Sequence, residues 1–261
     1  MKYALYQMDI VAGHPEENRK KVKKWVEVTM LEQKPDVLML PEMWTTAFTL
    51  PELEDIADDD GEPTTAFIQK LAKQNKVNII AGSIANKKQG DVYNTAFVVD
   101  RKGTVVYSYD KIHLVPMLDE HLYLTGGQEK VHMFELEGVK MGIIICYDLR
   151  FPELARNLML EGVEVLHIVA EWPAPRKDHW KHLQLARAIE NQMYVVSCNR
   201  VGVYNDEEFA GTSMMIDPWG VPIKVGSKDK EETIVSRIDL ETVPEIRKNV
   251  PITTSRVPEL Y

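Results

Sequence analysis

Only two cysteines, Cys146 and Cys198, occur in 261 residues. That excludes a disulfide framework and suits a reducing compartment, so a cytoplasmic location is expected. No apolar run is long enough to span a bilayer. The chain opens on strand-like sequence, Tyr3-Ala4-Leu5-Tyr6-Gln7-Met8, without the apolar core of a secretory signal. Basic residues form no stripe: 31 Lys and Arg stand against 40 Asp and Glu, a formal net charge of −9. A nucleic-acid partner is disfavoured on that ground, as a membrane is by the lack of an apolar span. Also missing are a Pro/Gly/Ser-rich linker, an internal repeat and any low-complexity tract, so residues 1–261 are expected to form a single domain. The one notable charge run, Glu52 to Asp60, reads as a solvated loop.

What the chain does have is an alternation of short apolar runs with amphipathic stretches, at 44% hydrophobic content. Pro15 to about Gln33 carries Val22, Trp25, Val26, Thr29 and Met30 at helical spacing, and Thr64 to Lys76 carries Phe67, Ile68 and Leu71. Further helices are expected over Pro152–Glu161 and Asp178–Asn191. Strands are expected at 36–40, 77–84, 93–99, 104–109, 139–145, 165–170 and 194–199. A β-rich tail follows at 212–216, 221–225 and 232–238. Repeated alternation of this kind predicts a layered α/β architecture.

Three of these runs end on reactive side chains. Gly142-Ile143-Ile144-Ile145 delivers Cys146, Val37-Leu38-Met39-Leu40 delivers Pro41-Glu42, and Val105-Val106-Tyr107-Ser108-Tyr109 delivers Asp110-Lys111. Carboxyl ends of strands are where open α/β sheets bind ligands. A helix starting near Pro152 is expected to favour a thiolate at Cys146 through its dipole. Taken singly, a cysteine after three isoleucines is more often inert core, and a lone Glu or Lys beside a strand is usually solvated. Together with their neighbours they form a pattern. Leu40-Pro41-Glu42-Met43-Trp44, Tyr109-Asp110-Lys111-Ile112-His113-Leu114 and Ile145-Cys146-Tyr147-Asp148-Leu149-Arg150-Phe151-Pro152-Glu153 resemble the three signature segments of the nitrilase superfamily of carbon–nitrogen hydrolases, in the family's order. The resemblance implies a four-layer αββα sandwich and hydrolysis of a non-peptide carbon–nitrogen bond with no cofactor and no metal.

It also implies roles. Cys146 is expected as nucleophile, Glu42 as general base, and Lys111 as stabiliser of the oxyanion together with a backbone N–H just after Cys146. Glu120, in Met117-Leu118-Asp119-Glu120-His121, matches the family's additional glutamate and is expected beside Lys111. The chemistry needs these types: a thiol of pKa about 8.5 is mostly protonated at neutral pH and benefits from a base. The developing oxyanion needs a cation or N–H donors. His179 and His182, three residues apart, lack a third ligand and read as a polar helix face. Cys198 reads as core, and Arg187 with Glu190 as a buried structural pair.

For the substrate, Glu171-Trp172-Pro173-Ala174-Pro175-Arg176, Met43-Trp44-Thr45-Thr46-Ala47-Phe48 and Asn199-Arg200-Val201-Gly202 are similar to segments of bacterial ω-amidases, which hydrolyse the terminal amide of 2-oxo acid amides such as 2-oxoglutaramate. Arg176 offers a planar fork for a substrate carboxylate, and Trp44, Phe48, Tyr147 and Trp172 are expected against the substrate. An N-carbamoyl amidase or a nitrilase on the same fold is the alternative, as is a catalytically silent binding protein. Family resemblance further implies a homodimer or larger homo-oligomer, with the tail from about 240 to 261 a contributor.

Overall fold

The computed structural model describes residues 1–260. Two large sheets are stacked face to face. In the first, the spatial order is Glu232–Arg237, Lys2–Gln7, Val37–Met39, Asn78–Lys88, Asp91–Val99 and Val105–Asp110, with the short strand Asp58–Asp59 also paired to Asn78–Lys88. In the second it is Pro222–Val225, Met214–Ile216, Tyr194–Asn199, Val165–Ala170, Val139–Ile145 and Phe134–Leu136. The middle of each sheet is parallel and its edges antiparallel.

Strand periodicity assigns the two faces. Tyr3, Leu5, Val37, Met39 and Ile80 point between the sheets and join one core with residues of the second sheet. Ala4, Tyr6, Leu38, Leu40 and Ile79 point outward onto Val22, Trp25 and Val26 of helix Pro15–Glu32 and Ile68, Leu71 and Ala72 of helix Thr64–Asn75. The second sheet is covered likewise by helices Pro152–Leu160 and Lys177–Asn191, which bury Leu154, Leu158, Trp180 and Ala188. The result is a four-layer αββα sandwich, as the family resemblance implies.

Polar links cross between the sheets. Tyr3 Oη lies 3.1 Å from His167 Nε2, and the His167 Nδ1 side faces Gly142 O at 3.0 Å. Burial pushes the His167 imidazole down to about 4. Cys198 Sγ donates to Tyr6 O at 3.2 Å, so this thiol is a buried cross-link in the core.

Two sequence expectations change here. The acidic run is not all solvated: Asp58 is buried, accepts from Thr64 N at 3.1 Å and pairs with Arg19 at 3.4 Å. The tail also turns helical beyond Arg237, with a helix at Thr242–Asn249 that buries Val243 and Ile246.

Candidate active site

Five strand ends meet at one edge of the sandwich. Val37–Met39 leads to Glu42, Val105–Asp110 to Lys111, Val139–Ile145 to Cys146, Val165–Ala170 to Glu171, and Tyr194–Asn199 to Arg200. The first two belong to one sheet and the other three to its partner.

Gly82 sets the path to Glu42. Its φ is +66°, and a Cβ there would lie 2.1 Å from Pro41 O, so only glycine lets the two strands approach. Glu42 is fully buried. Its Oε1 accepts from Lys111 Nζ at 3.0 Å and Asn94 Nδ2 at 2.8 Å, and its Oε2 accepts from Glu171 N at 2.8 Å. Lys111 Nζ also donates to both oxygens of Glu120, at 3.1 and 3.2 Å. Glu120 Oε2 accepts in addition from Val115 N at 2.9 Å. Burial alone would push the Lys111 ammonium down; Glu120 and Glu42 outweigh it and hold the group above its ordinary range. The ammonium stands 5.3 Å from the centre of the Phe48 ring.

Cys146 sits at the turn itself, with φ of +43°, a left-handed conformation that non-glycine residues adopt rarely and that clusters at functional sites. It opens a 3-10 segment, Cys146–Arg150, and helix Pro152–Leu160 begins only after that. The expected helix start near Pro152 is met, but any favouring of a thiolate by its N-terminus is outweighed. Burial, and then the Glu42 carboxylate, push the Cys146 thiol well above its usual range, with Lys111 only partly opposing them. The raised thiol favours its protonated form, with the Glu42 carboxylate beside it.

Asp148 locks two of the signature segments together. Its Oδ2 accepts from Ile145 N at 3.1 Å and Tyr109 Oη at 2.8 Å, while Oδ1 accepts from His113 N at 3.1 Å and lies 2.8 Å from His113 Nδ1. The His113 ring stacks on Phe151 at 3.5 Å between centroids. The sequence pattern assigns Asp148 no role of its own; its only signal there is a carboxylate two residues after the thiol.

Above Cys146 is a cavity lined by Phe48, Glu120, Tyr147, Arg150, Glu171, Trp172 and Arg176, among others. Phe48, Glu171, Pro173 and Arg176 continue into an outer vestibule reaching Tyr204 and Phe209. The half-buried Arg176 guanidinium makes no ion pair among the described residues. Arg150, named only within a motif, lies 4.7 Å from the centre of the Trp172 ring and 5.5 Å from that of Tyr147. Trp44, expected against the substrate, lies elsewhere: it is fully buried in the core under the first pair of helices, and its Nε1 donates to Ala81 O at 2.7 Å. Its place in a segment similar to ω-amidases makes it a candidate, but in the fold it packs away from the cavity.

Residues outside the cavity follow their sequence patterns in part. Arg187 pairs with Glu190 at 2.9 Å and donates to Leu149 O at 2.8 Å, although Glu190 remains partly exposed. His182 is exposed, and His179 Nδ1 lies 3.3 Å from Arg150 Nη1.

Comparison with known proteins fits this geometry. The family model described as carbon-nitrogen hydrolase matches residues 2–248. A 2-oxoglutaramate amidase of Bacillus subtilis is 46% identical over 255 residues, covering 98% of this chain and 97% of the relative. The omega-amidase YafV of Escherichia coli K12 is 38% identical, covering 83% of this chain and 82% of its own. Among solved structures, XC1258 of Xanthomonas campestris, described as a CN-hydrolase superfamily protein with an arsenic adduct in the active site, superposes with a TM-score of 0.91 at 31% identity, over 98% and 97% of the two chains. With this sandwich, this cluster of side chains at its edge and a family match spanning nearly the whole chain, the protein belongs to the carbon–nitrogen hydrolases of the nitrilase superfamily.

Proposed function

We propose that this hydrolase is an ω-amidase, converting 2-oxoglutaramate or 2-oxosuccinamate to the 2-oxo acid and ammonia through a thioester on Cys146. The observation that carries the substrate class is Arg176, a guanidinium facing the cavity without an anionic partner among the described residues. A substrate carboxylate would supply that partner through two parallel hydrogen bonds. Arg150 adds a second cation to the same wall. The similarity to a 2-oxoglutaramate amidase supports the same reading.

In this reading Glu42 takes the Cys146 proton as Sγ bonds to the amide carbon. Lys111 and the Tyr147 N–H hold the resulting oxyanion, and Glu120 keeps Lys111 charged and in place. The carbon–nitrogen bond then breaks, Glu42 passes its proton to the nitrogen, and ammonia leaves. Glu42 next accepts a proton from water, hydroxide attacks the thioester carbon, the carbon–sulfur bond breaks, and the proton returns to the thiol. Phe48 and Trp172 exclude bulk water while this happens. We also read the protein as a cytoplasmic homodimer: the terminal segment from Pro251 to Leu260 is largely exposed, which suits packing against a second copy.

A substrate panel tests the reading. Ammonia from 2-oxoglutaramate and 2-oxosuccinamate is expected, without carbon dioxide from carbamoyl compounds or acid from nitriles. For Arg176→Ala, kcat/KM on 2-oxoglutaramate should fall about 10²-fold, and less for Arg176→Lys, while a small uncharged amide changes far less. Equal losses on both substrates would leave Arg176 a structural residue. A wild type silent on every amide, with Cys146 inert to thiol reagents, would favour a non-catalytic protein.

A further inference from the structure

One buried acid in the cavity has no part in the scheme above. Glu171 follows directly on strand Val165–Ala170, and its N–H is spent on Glu42. Its side chain is fully buried, and Oε2 accepts from Arg200 Nη1 at 2.9 Å. Oε1 is out of contact with solvent and has no hydrogen-bond partner. Arg200 cannot swing over to cover it. The Arg200 guanidinium is itself fully buried, donates to Val201 O and Ile10 O at 3.1 Å each, and lies 4.3 Å from the centre of the Phe209 ring. A buried polar atom without a partner is rare and unfavourable, and this one belongs to a residue lining both the inner cavity and the vestibule, as Arg176 does.

We propose that Glu171 is a specificity-determining residue, whose free Oε1 hydrogen-bonds an oxygen of the substrate's anionic end beside Arg176. The inference rests on the ω-amidase reading and refines it. A 2-oxo acid terminus presents only acceptor oxygens, so Oε1 must carry a proton to serve it. The charged and titratable groups facing Glu171 are Arg200 and Lys111, which favour its anion, Glu42, which opposes it, and Tyr204 on the vestibule side. Arg150, Glu120 and Arg176 share the cavity wall. Burial, the largest influence, pushes the carboxyl up to about 8. With Oε2 occupied by the Arg200 donor, the proton resides on Oε1 at neutral pH. The acid is then a donor to an anionic substrate; ionised, it repels the same substrate. Tyr204, raised above its ordinary value, stays protonated through this window.

The experiment is the ratio of kcat/KM for 2-oxoglutaramate to kcat/KM for butyramide, from pH 6 to 9.5. Both substrates need Cys146, Glu42 and Lys111, so the titration of those groups cancels. In the wild type the ratio should hold to about pH 8 and then fall, approaching about tenfold per pH unit. Glu171→Gln keeps a donor and a partner for Arg200 without titrating, so its ratio should be flat with pH. In Glu171→Leu the ratio at pH 7 should drop roughly tenfold or more. A ratio that falls identically in wild type and Glu171→Gln, or a wild-type ratio in Glu171→Leu, overturns the proposal; if the leucine variant does not fold, the glutamine variant decides. A wild type that hydrolyses succinamate but not 2-oxoglutaramate would remove the 2-oxo acid reading alone, and Glu171 would be judged on the succinamate ratio. Turnover of no carboxylate-bearing amide would remove both.

Discussion

Replacing Asp148 by Asn tests how far the site depends on a residue that need not touch substrate. Four contacts are at stake, two on each carboxylate oxygen. The asparagine Nδ2 must take the place of one oxygen, and each place faces a backbone N–H, that of Ile145 or that of His113. The Tyr109 hydroxyl can reverse its role and His113 can change tautomer, but a backbone N–H cannot. One buried donor is therefore left unpaired, which costs about 1–3 kcal/mol, and the remaining bonds lose their charge assistance. We expect Asp148→Asn to lower stability by about 3 kcal/mol, measured as a shift in urea midpoint at unchanged slope. Because Asp148 fixes Ile145 on one side and His113 on the other, Cys146 and Lys111 should also drift apart. Displacements on the scale of 1 Å cost on the order of 10²-fold in rate. Amide turnover and the alkylation rate of Cys146, measured on variant that is still folded, read that drift. A variant within 1 kcal/mol of wild type and with full turnover would refute the argument, because the four contacts would then carry neither stability nor alignment.

Other outcomes follow from the same geometry. Cys146→Ala should fold and show no turnover, and a slow substrate should leave an acyl adduct on wild-type Cys146; an adduct on Cys198 instead would contradict the assignment. Lys111→Met should reduce kcat by roughly 10²-fold or more through loss of the oxyanion's cation, and Glu42→Gln by a similar factor, as measured under substrate saturation. His167 is lowered from 6.5 to about 4 in the folded protein, so the unfolded chain binds its proton first as pH falls. Stability should decline by about 3 kcal/mol between pH 6.5 and 4 from this group alone; denaturant titrations in which His167→Gln shows an equally steep decline would rule it out. Gly82→Ala should lose activity and stability together, since the Cβ would be driven into Pro41 O at the start of the Glu42 turn; a fully active variant would show that the turn yields.

The sequence is most legible where burial is complete. Val139–Ile145, Val165–Ala170 and Tyr194–Asn199 have the predicted boundaries because runs dominated by apolar residues, almost wholly buried, leave little but the strand length to decide. Strand Asn78–Lys88 extends four residues past its apolar run, through Ala85-Asn86-Lys87-Lys88, because hairpin pairing with Asp91–Val99 carries it onward. Helix Thr242–Asn249 went unseen because only Val243 and Ile246 face the core, too few to set a period. In the site, Glu42, Lys111, Glu120 and Cys146 stand where their motifs suggested they would meet. Trp44 packs into the outer core instead, following a left-handed Met43 in a turn that periodicity cannot foresee. Asp58, Asp148, Glu171 and Arg200 are hidden for another reason: a charged residue in a sequence reads as solvated, and partners distant in the chain, Arg19 for Asp58, Tyr109 for Asp148 and the Glu171–Arg200 pair itself, go with burial that no local pattern shows.

The split of the site between two sheets has a mechanical meaning. Apolar contact between the sheets is strong but indifferent to small slides, because one methyl packs against another nearly as well after a slight shift. Among the pins that fix the lateral position are Tyr3 to His167, Cys198 to the Tyr6 carbonyl, Tyr109 to Asp148, and Glu171 N to Glu42. The last two flank the candidate site, Asp148 in the turn that carries Cys146 and Glu171 N on the Glu42 carboxylate. The same bonds that shape the chemistry therefore set the alignment of the two halves, so a loosened sandwich would lose its reactivity well before it lost its strands.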